Sequence, residues 1–321
     1  MLNKWMTLTV ITALSLTSLT GCTDNTKIKE AVELSLTKQK EMKSYSFDGS
    51  AALELSDAWM ASPNPLTNGI LGLFRECTIN WKGASSAEPL QLETDINITP
   101  KGSTSPIAIP ILIKDNKLYF NLPAINTSPD EYYAIDLQQM SQNSSSPLKL
   151  DNLKNTSELT TTLGTSMFQS IDPKWYSEAK EPVTLKDGTS ARSITVDITD
   201  KNEKELNTSL QAKWPDMVST LQNNGLLTAE KADKLKTMPS GLQVKAPGKL
   251  SVAIDDQGFI RDEVLDLQLS IPAADGKATD NKITLHQTYD GINQPPAFTK
   301  ETPAHVKSFD DILKLLNKTK K

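Results

Sequence analysis

Alternating hydrophobic and polar positions recur along most of this chain and predict a β-rich protein. From Tyr45 to Leu55 every second residue is apolar or glycine, while Asp48 and Glu54 belong to the polar phase. Side chains of a β-strand point alternately to the two faces of a sheet, so this run is typical of a strand with one buried face. The same period recurs at 77–81, 90–98, 107–113, 118–122, 183–185, 194–198, 250–254, 265–271 and 283–289.

Turn sequences separate several of these runs and predict hairpins. Asp115-Asn116, Asp187-Gly188 and Asp255-Asp256-Gln257-Gly258 each lie between two strand-like runs, and residues of these types favour tight turns. Pro106 and Pro110 lack the N–H that a central strand donates. We therefore expect the strand around residues 107–113 to be an edge strand or to contain a bulge.

Other segments place apolar residues three or four positions apart and predict helices. These segments are 28–36, 159–171, 206–221, 228–238 and 309–316. The pair Asp172-Pro173 is expected to end the second helix, and Pro215 is expected to kink the third or to mark a new first turn. Ser308 and Asp311 resemble a capping box at the start of the last helix.

The order of elements predicts the α+β class. Nine to eleven strands, mostly joined by hairpins, are interrupted by a helical insert at about 157–238. Consecutive strands of this kind favour one antiparallel sheet covered on one face by helices. We expect residues 22–321 to form a single domain that includes the insert.

The first 22 residues are typical of a lipoprotein signal. Lys4 precedes an apolar stretch from Trp5 to Leu19 that is too short and too polar to stay in a bilayer as a spanning helix. Leu19-Thr20-Gly21-Cys22 matches the lipobox, so we expect residues 1–21 to be removed and Cys22 to carry diacylglycerol. An ordinary signal peptide followed by a chance cysteine is the alternative. The lipobox predicts a lipid-anchored protein on the extracytoplasmic face of a membrane in the cell envelope.

The composition narrows the classes of binding partner that the sequence predicts. The formal net charge is −5, and no cluster of lysine and arginine is present, which argues against a nucleic-acid partner. No second apolar stretch approaches the length that spans a bilayer, so the lipid on Cys22 is the membrane attachment that the sequence predicts.

Candidate chemistry is sparse. Cys77 is on the apolar phase of its strand and is expected to be a buried small hydrophobe. His286 is expected to face solvent and His305 to lie in a polar linker, and their spacing predicts no metal site. The motifs of common nucleophilic and phosphate-binding sites are missing. Asp255-Asp256 and Asp310-Asp311 are explained by a turn and by a helix N-terminus. A pair of glycosidase carboxylates is an open alternative, because the two members of such a pair are distant in sequence. No catalytic residue or cofactor is predicted.

Four short segments resemble one known family. They are Met42-Lys43-Ser44-Tyr45-Ser46-Phe47 after an N-terminal helix, the hairpin Ile113-Lys114-Asp115-Asn116-Lys117-Leu118-Tyr119-Phe120, the segment from Val252 to Ile260, and Tyr289-Asp290-Gly291-Ile292-Asn293-Gln294-Pro295-Pro296. In this order they resemble the lipoprotein-carrier group with the LolA/LolB/LppX-like fold. The resemblance implies a strongly curved antiparallel half-barrel whose concave apolar face is covered by helices and holds acyl chains or another hydrophobic ligand.

Two sets of residues are candidates for such a site. The candidate cavity lining is Phe47, Leu53, Trp81, Ile96, Ile109, Phe120, Val252 and Leu267. The candidate lid, which a short helix explains equally well, is the apolar run Ile70, Leu71, Leu73 and Phe74.

Two functions follow from these features. The first is a lipoprotein that binds or carries a lipid in a cavity between sheet and helices. The second is a structural lipoprotein of the envelope whose loops bind a protein partner. A solute-binding lipoprotein of an importer requires alternating strands and helices, and the consecutive strands here disfavour it. Enzymes are the class that the sequence supports least.

Overall fold

The computed structural model describes residues 24–56, 71–123, 126, 128–142, 156–224, 227–237, 243–272 and 278–309. The predicted signal segment, Cys22, Ile70 and the predicted last helix beyond Phe309 lie outside these residues. Asp310-Asp311 lies outside them as well.

Thirteen strands form one sheet in the described part of the chain. They are β1 (Ser44–Glu54), β2 (Glu76–Ala87), β3 (Leu90–Pro100), β4 (Ile107–Lys114), β5 (Lys117–Phe120), β6 (Glu131–Asp136), β7 (Tyr176–Glu178), β8 (Val183–Thr184), β9 (Ser190–Ile198), β10 (Gln243–Asp255), β11 (Ile260–Pro272), β12 (Ala278–Asp290) and β13 (His305–Ser308). The α-helices are α1 (Asn25–Lys38), α2 (Leu137–Gln142), α3 (Thr156–Gln169), α4 (Glu203–Asn223) and α5 (Ala229–Lys236). Short 3-10 helices cover Gln39–Glu41 and Pro173–Trp175.

The sheet is open and curved, with helices on its concave face, and this confirms the predicted α+β class. Its strand order is β13-β6-β5-β4-β3-β2-β1-β12-β11-β10-β9-β7, and β8 pairs with β9. Every pairing is antiparallel except that of β13 with β6. The strand count exceeds the predicted nine to eleven, since β6, β7 and β13 show no clear hydrophobic period in the sequence.

The predicted hairpins form at the expected turns. Asp115 and Asn116 adopt φ values of 52° and 59°, the left-handed pair that a two-residue hairpin turn requires. Gly188 and Gly258 adopt φ values of 84° and 85° in the other two turns. The prediction of an edge strand at Pro110 is wrong, because β4 lies between β3 and β5. Pairing with β5 begins at Ile111, and beyond it the Asn121 N–H donates to the Pro110 carbonyl at 3.3 Å, so the proline has neighbours on both sides.

Helices α1, α3 and α4 pack against the β9–β11 end of the concave face. The predicted stripe Ile28, Val32 and Leu36 of α1 is buried there. The strand residues that these helices bury include Ile194, Val196, Ile198, Val244, Leu250, Val252, Ile254, Leu267 and Leu269. Burial of this apolar surface is the main stabilising contribution to the fold.

Two buried polar contacts fix the helices to the strands. The Asn207 side chain of α4 donates to the Val244 carbonyl and accepts from the Val244 N–H, each at 2.8 Å. At the end of α1 the Gln39 side chain donates to the Ile260 carbonyl at 3.1 Å. These bonds satisfy backbone groups that would otherwise be buried without partners.

The segment 157–238 is more than a helical insert. Between α3 and α4 it contributes β7, β8 and β9, and β9 pairs with β10 in the common sheet. Pro215 lies inside α4, which runs from Glu203 to Asn223 without ending at the proline.

After β12 the chain crosses the convex face of the sheet, and we name residues 291–304 the C-terminal strap. The buried Glu93 carboxylate accepts hydrogen bonds from the backbone N–H groups of Thr299 and Lys300, both at 2.8 Å. The strap leads to β13 at the far edge of the sheet. His305 therefore belongs to a strand, and its prediction as part of a linker is wrong.

Candidate functional site

Half of the concave face keeps most of its large apolar side chains partly exposed. We define the open half as the concave-face residues of β1–β5 and β12. Its large apolar members that remain partly exposed include Phe47, Leu53, Ile79, Trp81, Ile96, Ile109, Ile111, Leu118, Phe120, Ile283 and Leu285. On β9 and β10 the corresponding apolar residues are buried under α1, α3 and α4. The open half is therefore the part of this face that offers apolar surface to a ligand.

The strand register places all eight predicted lining residues on the concave face. Six of them lie in the open half and are partly exposed: Phe47, Leu53, Trp81, Ile96, Ile109 and Phe120. Val252 and Leu267 are buried in the cluster beneath the helices. Their part in a cavity stays a prediction.

Of the predicted lid residues, Leu71 is helical, whereas Leu73 and Phe74 lie in a turn that leads into β2. The Phe74 N–H donates to the Leu71 carbonyl at 2.9 Å, and Leu71, Leu73 and Phe74 are partly buried. The Leu55 N–H donates to the Arg75 carbonyl at 2.6 Å, so this turn lies beside the end of β1. It is thus close to Leu53 at one end of the open half.

A single row of side chains crosses the concave face from β4 to β10, and we name it the central row. In spatial order it comprises Ile109, Ile96, Trp81, Gly49, Gln287, Glu263 and Val252. The next row contains Ile79, Ala51, Leu285 and Leu265 and is apolar throughout. Within these two rows the polar groups are those of Trp81, Gln287 and Glu263.

The Trp81 indole lies across β1 because residue 49 is glycine. A Cβ atom at Gly49 would stand 2.5 Å from the indole ring, which is closer than real Cβ atoms approach other atoms. The Trp81 Nε1–H donates to Gln287 Oε1 at 2.7 Å, so the ring connects β2 to β12. The Gln287 side-chain N–H groups donate to the carbonyls of Thr288 and Asp48. Both donors of the amide and one acceptor position of its oxygen are thus used within the sheet.

Glu263 follows Gln287 in the central row and is partly buried. Burial, assisted by the nearby charge of Asp262, raises the pKa of its carboxyl from 4.5 to about 7. Among the residues that the structure describes, its carboxylate has no hydrogen-bond or ion-pair partner. Burial likewise raises the pKa of the neighbouring Tyr289 well above 10, and the Tyr289 ring contacts Tyr45 edge-on at 5.6 Å.

Sequence reasoning missed Glu263 and Gln287, although the sequence holds a signal for both. Glu263 shares the strand phase of Leu265 and Leu267, and Gln287 shares the phase of Ile283 and Leu285. A polar residue on the apolar phase of a strand is the informative exception to the pattern.

The acidic turn predicted at Asp255-Asp256 is present and has a structural role. Asp255 Oδ1 accepts from the N–H groups of Gln257 and Phe259, and Asp255 Oδ2 lies 3.3 Å from Arg261. A register shift between Ile254 and Ala253 places Arg261 in a β-bulge, where it also pairs with Asp187 and Asp290. The guanidinium lowers the pKa of Asp187 to about 2.

Cys77, His286 and His305 lie on three different strands, β2, β12 and β13. Cys77 is buried on the concave face opposite Leu53, and burial raises the pKa of its thiol. His286 is exposed on the convex face, as predicted, with Nε2 2.8 Å from Asp262 Oδ2. Within the described ranges no three His, Cys, Asp or Glu side chains form a group able to hold a metal ion. No helix in that part of the chain is long and apolar enough to cross a bilayer.

We expect Gly49→Ala to destabilise the fold by about 1–3 kcal/mol, because the new methyl group displaces the Trp81 ring and breaks its bond to Gln287. Urea unfolding followed by circular dichroism measures the change. Gly72→Ala is the matched control, since a Cβ atom there meets no atom within 4 Å. Equal stability of the two variants would contradict the packing of Trp81 on Gly49.

The raised pKa of Glu263 predicts a pH-dependent loss of stability. Its folded-state pKa of about 7 exceeds the unfolded value of 4.5, so the folded state becomes less stable as pH rises between these values. Glu263→Gln removes this titration. We expect the variant to match the wild type near pH 4 and to exceed it by up to about 3 kcal/mol at pH 8.

Urea unfolding across this pH range provides the measurement. Asp266→Asn is the matched control, because Asp266 lies on the convex face of the same strand and its side chain is 49% exposed. Parallel pH profiles of Glu263→Gln and the wild type would show that Glu263 is not desolvated.

Comparisons with known proteins come from solved structures alone. No protein-family model matches the chain. No curated protein matches it in sequence. The structure is similar to that of LprF from Mycobacterium bovis, with a TM-score of 0.38 and 10% identity over 86% of this chain and 97% of that chain.

Two further similarities are weaker. A DUF1329 family protein from Desulfovibrio piger gives a TM-score of 0.23 and 9% identity, over 86% of this chain and 96% of that one. A structure of lipid–protein interactions in lipovitellin gives a TM-score of 0.22 and 12% identity, over 82% of this chain and 26% of the lipovitellin chain. Similarity at this level does not identify what the present chain binds.

Proposed function

We propose that the protein is an envelope lipoprotein, anchored through Cys22, that binds a lipid or another hydrophobic ligand against the open half of its concave face. One observation carries the proposal. Most large apolar side chains of β1–β5 and β12 on this face remain partly exposed, although Ile98 and Ile113 are buried, whereas their counterparts on β9 and β10 are buried beneath the helices. A contiguous apolar surface of this kind is typical of a binding site.

The physical gain from such binding is large. Each methylene group transferred from water to an apolar surface contributes about 0.8 kcal/mol. Burying about eight methylene groups of an acyl chain therefore contributes on the order of 6 kcal/mol before the entropic cost of binding. Contacts of this kind require shape and apolarity rather than catalytic motifs, which agrees with the sparse chemistry of the sequence.

The position of α1 supports a role at a membrane surface. This helix begins at Asn25, only three residues after Cys22. Three residues span roughly 10 Å at most, so lipid on Cys22 would hold the start of α1 close to the bilayer. Because α1 packs on the same sheet as the open half, the concave face would lie near the lipids that it is proposed to bind.

The direct test is extraction of bound ligand from the purified full chain with organic solvent, followed by mass spectrometry. Lipid attached covalently to Cys22 remains with the protein in this procedure. We expect the wild type to yield a hydrophobic ligand and Ile109→Gln to retain about tenfold less, because a polar amide replaces an apolar contact.

Ala108→Gln is the control, because Ala108 is exposed on the convex face of the same strand. It should retain as much ligand as the wild type. A wild type without ligand, or equal retention by both variants, would contradict the proposal.

A further inference from the structure

The central row divides the concave face into regions of different chemistry. On one side lies the apolar row of Ile79, Ala51, Leu285 and Leu265. Glu263 lies at the end of the open half, where the central row passes beneath the helices at Val252. A ligand lying along the apolar row would therefore meet one carboxyl group at a defined position.

Glu263 is the group of the central row whose acceptor capacity is wholly unused by the described residues. Trp81 and Gln287 bond to each other, and the remaining donors of Gln287 go to backbone carbonyls. For the Glu263 carboxylate, in contrast, the described residues provide no donor. A desolvated carboxylate without a donor costs free energy, and a ligand group that donates a hydrogen bond would recover part of that cost.

The negative charge of Glu263 also restricts the charge of the ligand head group. Two charged residues occupy regularly paired positions on the concave face of β1–β5 and β9–β12. They are Glu263 and Arg192. Arg192 lies two strands away on β9 and forms a two-bond pair with Glu178, at 2.7 and 3.0 Å. An anionic group beside Glu263 would therefore meet like charge without a nearby free cation.

The covering helix α1 does not supply that cation. The Lys29 ammonium donates to the carbonyls of Ile171 and Gln169. Lys38 pairs with Glu41 and lies over the Phe259 ring. Lys27, the third lysine of this helix, pairs with Asp24 at 3.5 Å. All three lysines are therefore engaged with groups other than Glu263.

From this geometry we infer that the ligand is an amphiphile with a neutral or cationic head, whose N–H or O–H group donates to Glu263 while its hydrocarbon chain covers the open half. This inference rests on the proposed function and specifies the class of ligand. It predicts discrimination against free fatty acids, whose carboxylate carries the same charge as Glu263.

Four probes with the same hydrocarbon chain test the head-group preference: hexadecylamine, hexadecanol, 1-methoxyhexadecane and hexadecanoate. The readout is displacement of a fluorescent apolar probe, N-phenyl-1-naphthylamine, from the full chain. The experiment is done at pH 8, with each of the four compounds kept below the concentration at which that compound aggregates. We expect hexadecylamine to bind about tenfold more tightly than 1-methoxyhexadecane, and hexadecanol to lie between them, because hydrogen bonds to a charged acceptor are stronger than neutral ones. Hexadecanoate should bind most weakly.

Glu263→Gln tests whether this residue is responsible. Within that variant the preference for the amine over the ether should fall to about threefold or less, since the charged acceptor is lost. Asp266→Asn on the convex face should keep the tenfold ratio. Comparing ratios within each variant separates head-group selection from any general change in affinity.

The outcomes distinguish the two proposals. Binding of all four probes with equal affinity by the wild type would overturn the inference and leave the proposed function intact. A preference that persists in Glu263→Gln would overturn the role of Glu263. Failure of the wild type to bind the fluorescent probe or any of the four compounds would overturn both.

Discussion

The structure depends on how α1, α3 and α4 pack against a sheet whose large apolar side chains lie mostly on one face. A period of two along each strand puts these side chains on one face of the sheet. Other elements must cover that face to remove its apolar side chains from water. The helices cover its β9–β11 end, where Ile194, Val196 and Leu250 are buried. The strands from β1 to β5 carry the same apolar phase, and most of its large side chains remain partly exposed. Incomplete coverage of a continuous apolar face is the physical basis of the proposed site.

The polar groups on this face show how such a site can be selective. Gly49 lets the Trp81 ring lie across β1 and bond to Gln287, so two polar side chains satisfy each other inside an apolar surface. Glu263 stands beside them with a raised pKa and with acceptor capacity left. A buried group of this kind is tolerated at a cost in stability, and such costs are common at functional sites.

Much of the fold could be predicted from the sequence because hydrophobic periodicity and turn residues are local signals. The stripe of α1 and the turns at Asp115-Asn116 and Asp187-Gly188 appear as predicted. β13 could not be predicted, because its four residues are all exposed and pair in parallel with β6, far away in the chain. The site was only half predictable for a similar reason. Strand phase identifies which residues share a face, whereas the contact of Trp81 with Gln287 depends on register across β1.

Quenching of Trp81 fluorescence by a bound ligand shows directly whether the ligand lies against the open half. Hexadecanol brominated in mid-chain quenches indoles that it touches, and Trp81 lies in the open half, whereas the Trp214 Nε1–H of α4 donates to the Leu235 carbonyl of α5. The account predicts that the brominated probe quenches the wild type and Trp214→Phe but loses most of its effect in Trp81→Phe. Undiminished quenching in Trp81→Phe would place the ligand elsewhere and contradict the account.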